Sequence, residues 1–262
     1  MRVESRIERV TGHNSKVVAY LKRNLVRNAL DVWNLETRSA RYDLYVCKVS
    51  GGVEAHLGIY SGEDAKYVDI GGSERAVEKL LGLVPPKAVI TAPPALGNII
   101  THAVRPAKVY PNDIMIVERG QEKLSDSEGV KRLTGDDAVQ YSEFGSSFNA
   151  PKVKLKRIRE ALQERIVFGA FSDRSLVSIA SLVSWLPSVA VIMGVETKEE
   201  FRRRGFGSSV VSAAVREGLG RSRSCALFVR SDNYEAIRLY LKLGFRKHGD
   251  ELWIDRGTGI VP

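Results

Sequence analysis

Residues 189–219, VAVIMGVETKEEFRRRGFGSSVVSAAVREGL, constrain the fold more than any other stretch. An apolar, β-branched run through residue 195 reads as a strand, and the run from residue 205 carries helical spacing. Between them stand three consecutive arginines and a Gly-Phe-Gly. A strand that feeds a helix through a glycine turn belongs to an α/β chain. Glycines at the mouth of a helix mark a place where something approaches the backbone closely.

The rest of the chain repeats this grammar. HNSKVVAYLKRNLVRNALDVW has Asn14 and Ser15 as capping residues and a stripe of Val18, Leu21, Leu25 and Ala29, which predicts one amphipathic helix. Ser50-Gly51-Gly52 and Ser172-Asp173-Arg174 each separate two strand-like runs, so both read as hairpin turns. Thr134 and Asp137 have capping-box spacing, and Leu155, Ile158 and Leu162 share one helical face. Each half reads helix, three strands, helix, strand, helix, strand. The polar run 120–131 serves as linker, giving expected domains of 1–122 and 130–262. Where the second half has its Arg/Gly turn, the first has only Gly71-Gly72-Ser73.

Charge narrows the partner. The net charge is +9, and residues 151–262 hold 20 Lys/Arg against 12 Asp/Glu, so nearly all the excess lies in the second half. That suits an anionic partner such as a phosphate-bearing cofactor. Nucleic acid is disfavoured, because KVKLKRIRE lacks interleaved aromatics or a known motif. Cys47 and Cys225 lie in apolar runs and are expected to be buried free thiols of a cytoplasmic protein. No apolar run approaches the ~18 residues of a membrane span. His13, His56, His102 and His248 are scattered, so no metal site and no Ser-His-Asp triad is expected.

A helix N-terminus offers unpaired N–H groups and the positive end of the macrodipole. Gly205 and Gly207 would let a pyrophosphate reach those groups, with Arg202, Arg203 and Arg204 around it. A dinucleotide fingerprint would need glycine where Val210 stands, and no Gly-Lys-Ser/Thr of a P-loop occurs.

Two elements then resemble the GNAT superfamily of acyl-CoA-dependent N-acyltransferases. Arg202-Arg203-Arg204-Gly205-Phe206-Gly207 is similar to its Gln/Arg-x-x-Gly-x-Gly/Ala signature. NYEAIRLYLKLGF, with Asn233, Ala236, Leu239, Tyr240, Gly244 and Phe245, is similar to its Asn-x-x-Ala-x-x-Leu-Tyr-x-x-x-Gly-Phe element. The resemblance covers roughly residues 130–256. It implies an α/β fold of two GNAT-like domains, each a mixed, largely antiparallel twisted sheet flanked by helices. The first would be a degenerate copy, as in tandem enzymes such as the glycine N-acyltransferase group, or else an unrelated α/β cap.

By the same resemblance, acetyl-CoA is the acyl donor and a small-molecule or peptide amine the acceptor, with no metal. Val195 and Thr197 would bind the pantetheine through main-chain groups. Residues Arg203 to Ser208, with Phe206 between the glycines, would hold the pyrophosphate, and Asn233 would touch the pantetheine arm or simply cap its helix. Tyr240 would be the acid that protonates the leaving thiolate. Many relatives have a glutamate eleven positions before the first motif residue. Here that position is Val191. Strand alternation turns Glu196 to the opposite face unless a bulge intervenes, and Ser184 and Asp173 need loop assumptions. The base is thus unassigned, and a binding module without turnover is the alternative to an enzyme.

Overall fold

The computed structural model of the chain describes residues 5–11, 14–37, 39–62, 64–126, 129–148 and 153–262. His13 lies outside them. Two compact units emerge, and neither is continuous in sequence. The first holds residues 1–114, 229–233 and 248–262, the second residues 115–228 and 234–247.

The first unit begins with a strand the hydrophobic pattern did not signal, β1 (Ser5–Val10), because its residues are mostly polar and none is fully buried. The helical stripe that follows is real but broken. Asn14 caps α1 (Ser15–Leu21) by accepting from Val17 N–H, a 3₁₀ turn intervenes, and α2 spans Ala29–Glu36. The break places Arg27 and Asn28 inside, and the Asn28 amide donates to the Leu21 carbonyl at 2.9 Å. A regular helix would have kept that carbonyl for its own ladder.

β2 (Tyr42–Val49) and β3 (Gly52–Ser61) form a hairpin on Ser50-Gly51, whose φ values of 49° and 81° are those of a primed turn that matches strand twist. β4 (Lys66–Gly72), α3 (Glu74–Leu80), β5 (Ala88–Ala92), α4 (Gly97–Val104) and β6 (Lys108–Glu118) follow. Sheet order in this unit runs β1-β2-β3-β4-β5, and then the chain's last strand, β12 (Arg246–Arg256), pairs antiparallel with β5. Leu57, Ile70, Val77, Leu80, Ile90 and Ile100 form the core.

The second unit runs β7 (Val130–Arg132), α5 (Ala138–Ser146), α6 (Leu155–Glu164), β8 (Ile166–Ser172), β9 (Ser175–Trp185), β10 (Val189–Thr197), α7 (Phe206–Arg221), β11 (Ser224–Arg230) and α8 (Tyr234–Lys242). Its sheet order is β11-β10-β9-β8-β7, with β10 and β11 parallel. The Thr134–Asp137 capping box is present and opens a 3₁₀ turn before α5. The β8–β9 turn uses Asp173 and Arg174 at φ 47° and 66°. Of the expected stripe on α6, Ile158 and Leu162 are buried while Leu155 stays exposed. Both cysteines are free and buried, and burial pushes the Cys225 thiol up to about 12. No helix among the described residues is long and apolar enough to cross a membrane.

One glycine fixes how α7 meets its sheet. A Cβ on Gly218 would lie 2.5 Å from Cys225 Sγ and 3.3 Å from both Ala190 Cβ and Leu182 Cδ1. Gly220 on the same helix has open space at that position. Gly220→Ala is therefore expected to stabilise by up to about 1 kcal/mol. Gly218→Ala should destabilise by about 1 kcal/mol or more, overpacking exceeding the propensity gain. Paired urea melts check this, and equal shifts of the same sign would contradict the close-approach account.

Candidate functional site at the β10–α7 junction

The turn between β10 and α7 is wound so that the N–H groups that open α7 have no backbone partner. Arg203 is left-handed at φ 63°, and the N-cap Gly205 is left-handed at φ 89° with no side-chain cap. Ser209 N–H makes the first helical bond, to Gly205 O at 3.0 Å. The N–H groups of Phe206, Gly207 and Ser208 therefore have no carbonyl behind them, as expected for a first turn. A Cβ on Gly205 would meet nothing within 4 Å, so conformation and an open approach select this glycine. Gly207 is selected by packing instead. Its Cβ would stand 3.2 Å from Thr197 Oγ1 and 3.4 Å from Leu239 Cδ1.

The three arginines are all exposed but held differently. Arg202 Nε donates to Thr197 O at 3.3 Å. Arg203 pairs with Glu235 at 3.4 Å, and Arg204 lies over the rings of Phe201 and Phe206 at 5.1 and 5.5 Å. Three guanidinium groups, three open N–H groups and a helix dipole together make an oxyanion-accepting corner.

The strand leading into this corner is irregular in a way that changes one expectation. β10 pairs with β11 only from Val189 to Ile192, whereas its pairing with β9 continues to Thr197. From Met193 onward the ladder therefore records no β11 partner, which leaves the main chain around Val195 available to an extended ligand. On the β9 side, Met193 pairs with Ser181 and Glu196 with Ile179. A three-residue step thus faces a two-residue step, and the extra residue is accommodated at Gly194, φ 60°. Residues paired across a ladder share a face. Ser181 and Ile179 share one, so Glu196 returns to the face of Met193 and Val191. Simple alternation placed Glu196 on the opposite face, and the bulge reverses that. Thr197 turns to the other face, where Gly207 lies, and its hydroxyl shares a hydrogen bond with Ser178 Oγ at 2.8 Å. The signal was present in sequence: a lone glycine inside a β-branched run.

Val191 is fully buried and carries nothing that titrates. Glu196 is open to solvent on one side, yet desolvation by the surrounding protein raises its carboxyl above the ordinary value. Ser184 pairs with Val191, and its buried Oγ has no partner among the described residues. Asp173 sits in the β8–β9 turn.

Tyr240, on α8, is 6% exposed with its ring 5.8 Å from that of Phe245. Burial raises its phenol well above the usual value, so it stays protonated throughout the working range. Asn233 falls in the first unit and is exposed, its N–H donating to Arg230 O at 2.9 Å. Sequence reasoning did not anticipate Ser125. This residue of the expected linker hydrogen-bonds Ser208 Oγ at 2.9 Å and Ser212 Oγ at 3.0 Å, tying the strap to the first turns of α7.

The corresponding turn of the first unit is occupied at Gly72 and Ser73. Ser73 N–H donates to Glu54 O at 3.0 Å, and a Cβ on Gly72 would lie 2.2 Å from that same oxygen. Backbone already fills the space that stays open at Gly205.

Residues 167–254 match the family model described as FR47-like protein. No curated protein matches the chain. Solved structures do. A Drosophila protein is 14% identical with a TM-score of 0.70, over 95% of this chain and 97% of that one. A tandem GNAT protein from the clavulanic acid biosynthesis pathway is 14% identical with a TM-score of 0.57, over 96% and 99%. A GCN5-related N-acetyltransferase from Kribbella flavida is 14% identical with a TM-score of 0.58, over 95% and 97%. The chain has the GNAT fold of these structures, and its FR47-like segment contains the β10–α7 junction.

Proposed function

We propose that the second unit transfers an acyl group, acetyl in the simplest case, from acyl-CoA to a primary amine by direct attack within a ternary complex. The observation that carries this reading is the open first turn of α7 directly after a bulged strand whose β11 side is unpaired. The CoA pyrophosphate would rest on the N–H groups of Phe206, Gly207 and Ser208, with Arg202, Arg203 and Arg204 supplying charge. The pantetheine amides would extend along Val195. The Thr197 carbonyl already accepts from Arg202, so Thr197 would serve chiefly through its position beside Gly207.

In the transfer step the amine nitrogen bonds the thioester carbonyl carbon, the C–S bond breaks, and the nitrogen gives up a proton. Glu196 would accept that proton, directly or through water. Its raised carboxyl makes it a better base than an ordinary surface glutamate. Tyr240 would donate a hydrogen bond to the leaving sulfur. Its raised phenol disfavours complete proton transfer to a thiolate, so its contribution is the stabilisation of developing charge. No cysteine enters: Cys225 is buried with its thiol raised to about 12, unsuited to carry an acyl group. The first unit is then a copy that has lost its cofactor turn, as its closed Gly72–Ser73 junction suggests.

The deciding assay is thiol release from acetyl-CoA across a panel of amines, compared with CoA binding alone. Turnover with at least one amine is expected; binding without turnover on any would support a non-catalytic CoA module. Tyr240→Phe should lower kcat by about 10- to 100-fold, the worth of one hydrogen bond to a charged group, with acetyl-CoA binding nearly unchanged. Unaltered kcat would refute that role. For Glu196, the carboxyl followed by carbon NMR should titrate above the ordinary value of 4.5. Activity must rise with pH through that same midpoint, because the base works deprotonated. In Glu196→Gln this acidic limb should vanish along with most of kcat, and a limb that persists would place the base elsewhere.

A further inference from the structure

The first unit buries a cluster of ionisable groups that the proposed chemistry does not use. Asp31 comes from α2, His56 from β3 and Asp69 from β4. His56 Nε2 stands 3.1 Å from Asp69 Oδ2 and 3.6 Å from Asp31 Oδ2. One ligating atom from each of the three lies within 4.8 Å of the others. The side chains of His56 and Asp31 are only 2% and 5% exposed. Tyr42 donates to Asp31 Oδ1 at 2.6 Å, and Thr91 donates to Asp69 Oδ1 at 2.8 Å, so one oxygen of each carboxylate is oriented from outside. Arg27 also pairs with Asp69.

One feature remains unexplained by these bonds. Asp31 Oδ2, aimed at His56 and fully buried, accepts no hydrogen bond among the described residues. Arg27 Nε lies 4.0 Å from Glu251 Oε2. Burial pushes the Asp31 carboxyl well above the usual range and that of Glu251 up to about 8, so Asp69 is the carboxylate that balances the guanidinium. The backbone makes room for the cluster at two glycines. A Cβ on Gly58 would sit 2.5 Å from Asp31 Oδ1, and one on Gly71 would sit 2.8 Å from His56 Cε1.

We propose that Asp31 Oδ2, His56 Nε2 and Asp69 Oδ2 form a structural site for one divalent transition-metal ion, tying α2 to β3 and β4. Metal–ligand bonds of about 2.0–2.2 Å in a tetrahedron separate ligand atoms by about 3.3–3.6 Å, close to the 3.1 and 3.6 Å that His56 keeps from the two carboxylates. Two carboxylates and an imidazole suit zinc and its first-row neighbours. A bound ion takes the place of the Asp31 proton and gives the orphan oxygen its partner. Arg27, Tyr42 and Thr91 then act as the outer shell that orients the ligands.

The test uses the untagged full-length chain, refolded from denaturant with zinc, with cobalt, or with chelator, because a buried site exchanges slowly. Expected are about one equivalent of zinc by elemental analysis, visible d–d bands with cobalt, and a melting temperature higher with metal than with chelator. Asp31→Asn and His56→Gln should each weaken metal retention about tenfold or more. A metal-free chain whose melting temperature ignores both zinc and chelator would overturn the proposal, with shared protons neutralising the carboxylates instead. Full metal retention in Asp31→Asn would also overturn it, by placing the ion elsewhere. If either variant fails to fold, the stoichiometry and cobalt spectrum of the native chain decide alone.

Discussion

The second unit depends on what the backbone does at two glycines, Gly194 and Gly205. At Gly194 the strand gains a residue, which releases its β11 edge and rotates Glu196 onto the face of Val191. At Gly205 the chain enters α7 through a left-handed residue, so three N–H groups open outward with no side-chain cap to quench them. Neither feature is an energetic gain for folding. Unpaired strand edges and uncapped helix ends each forgo hydrogen bonds worth about 1 kcal/mol. They persist because α7 is clamped elsewhere, by Gly218 against Ala190, Leu182 and Cys225 and by the Ser125 strap across Ser208 and Ser212. A rigid helix body lets its first turn stay unsatisfied.

The first unit solves the same junction oppositely. Gly72 lies so close to Glu54 that backbone occupies the space, and Ser73 N–H is consumed by the Glu54 carbonyl. Its polar investment is instead buried under the sheet, around Arg27, His56 and Asp69. The chain's final strand belongs to this unit through its pairing with β5, so the C-terminus completes a core begun by the N-terminus. Truncation at the end of α8 would leave β5 an edge strand paired with β4 alone, with Ile90 and its neighbours stripped of their β12 partners.

Much of this was legible in the residues. Ser50-Gly51 and Asp173-Arg174 announced their hairpins because primed turns tolerate few residue types. The Thr134–Asp137 box announced a helical start because its two side chains satisfy each other's backbone. Four things resisted. Strand β1 is polar on most positions, so periodicity had nothing to detect. The Arg27–Asn28 break hides in a good helical stripe, since its cause is a distant partner, Asp69, supplied only by the fold. The face of Glu196 stayed open because alternation assumes a regular ladder, and the bulge at Gly194 supplies the exception. His56 likewise shares no spacing with Asp31 and Asp69, and only sheet pairing brings them together.

The central claim is that an anion docks on the first turn of α7. Coenzyme A titrated into isotope-labelled protein, followed by backbone amide NMR, tests it most directly. The account predicts that the amides of Phe206, Gly207 and Ser208 show the largest saturable shifts, with Gly72 and Ser73 unmoved. Saturation of the protein with those three amides unchanged would contradict it.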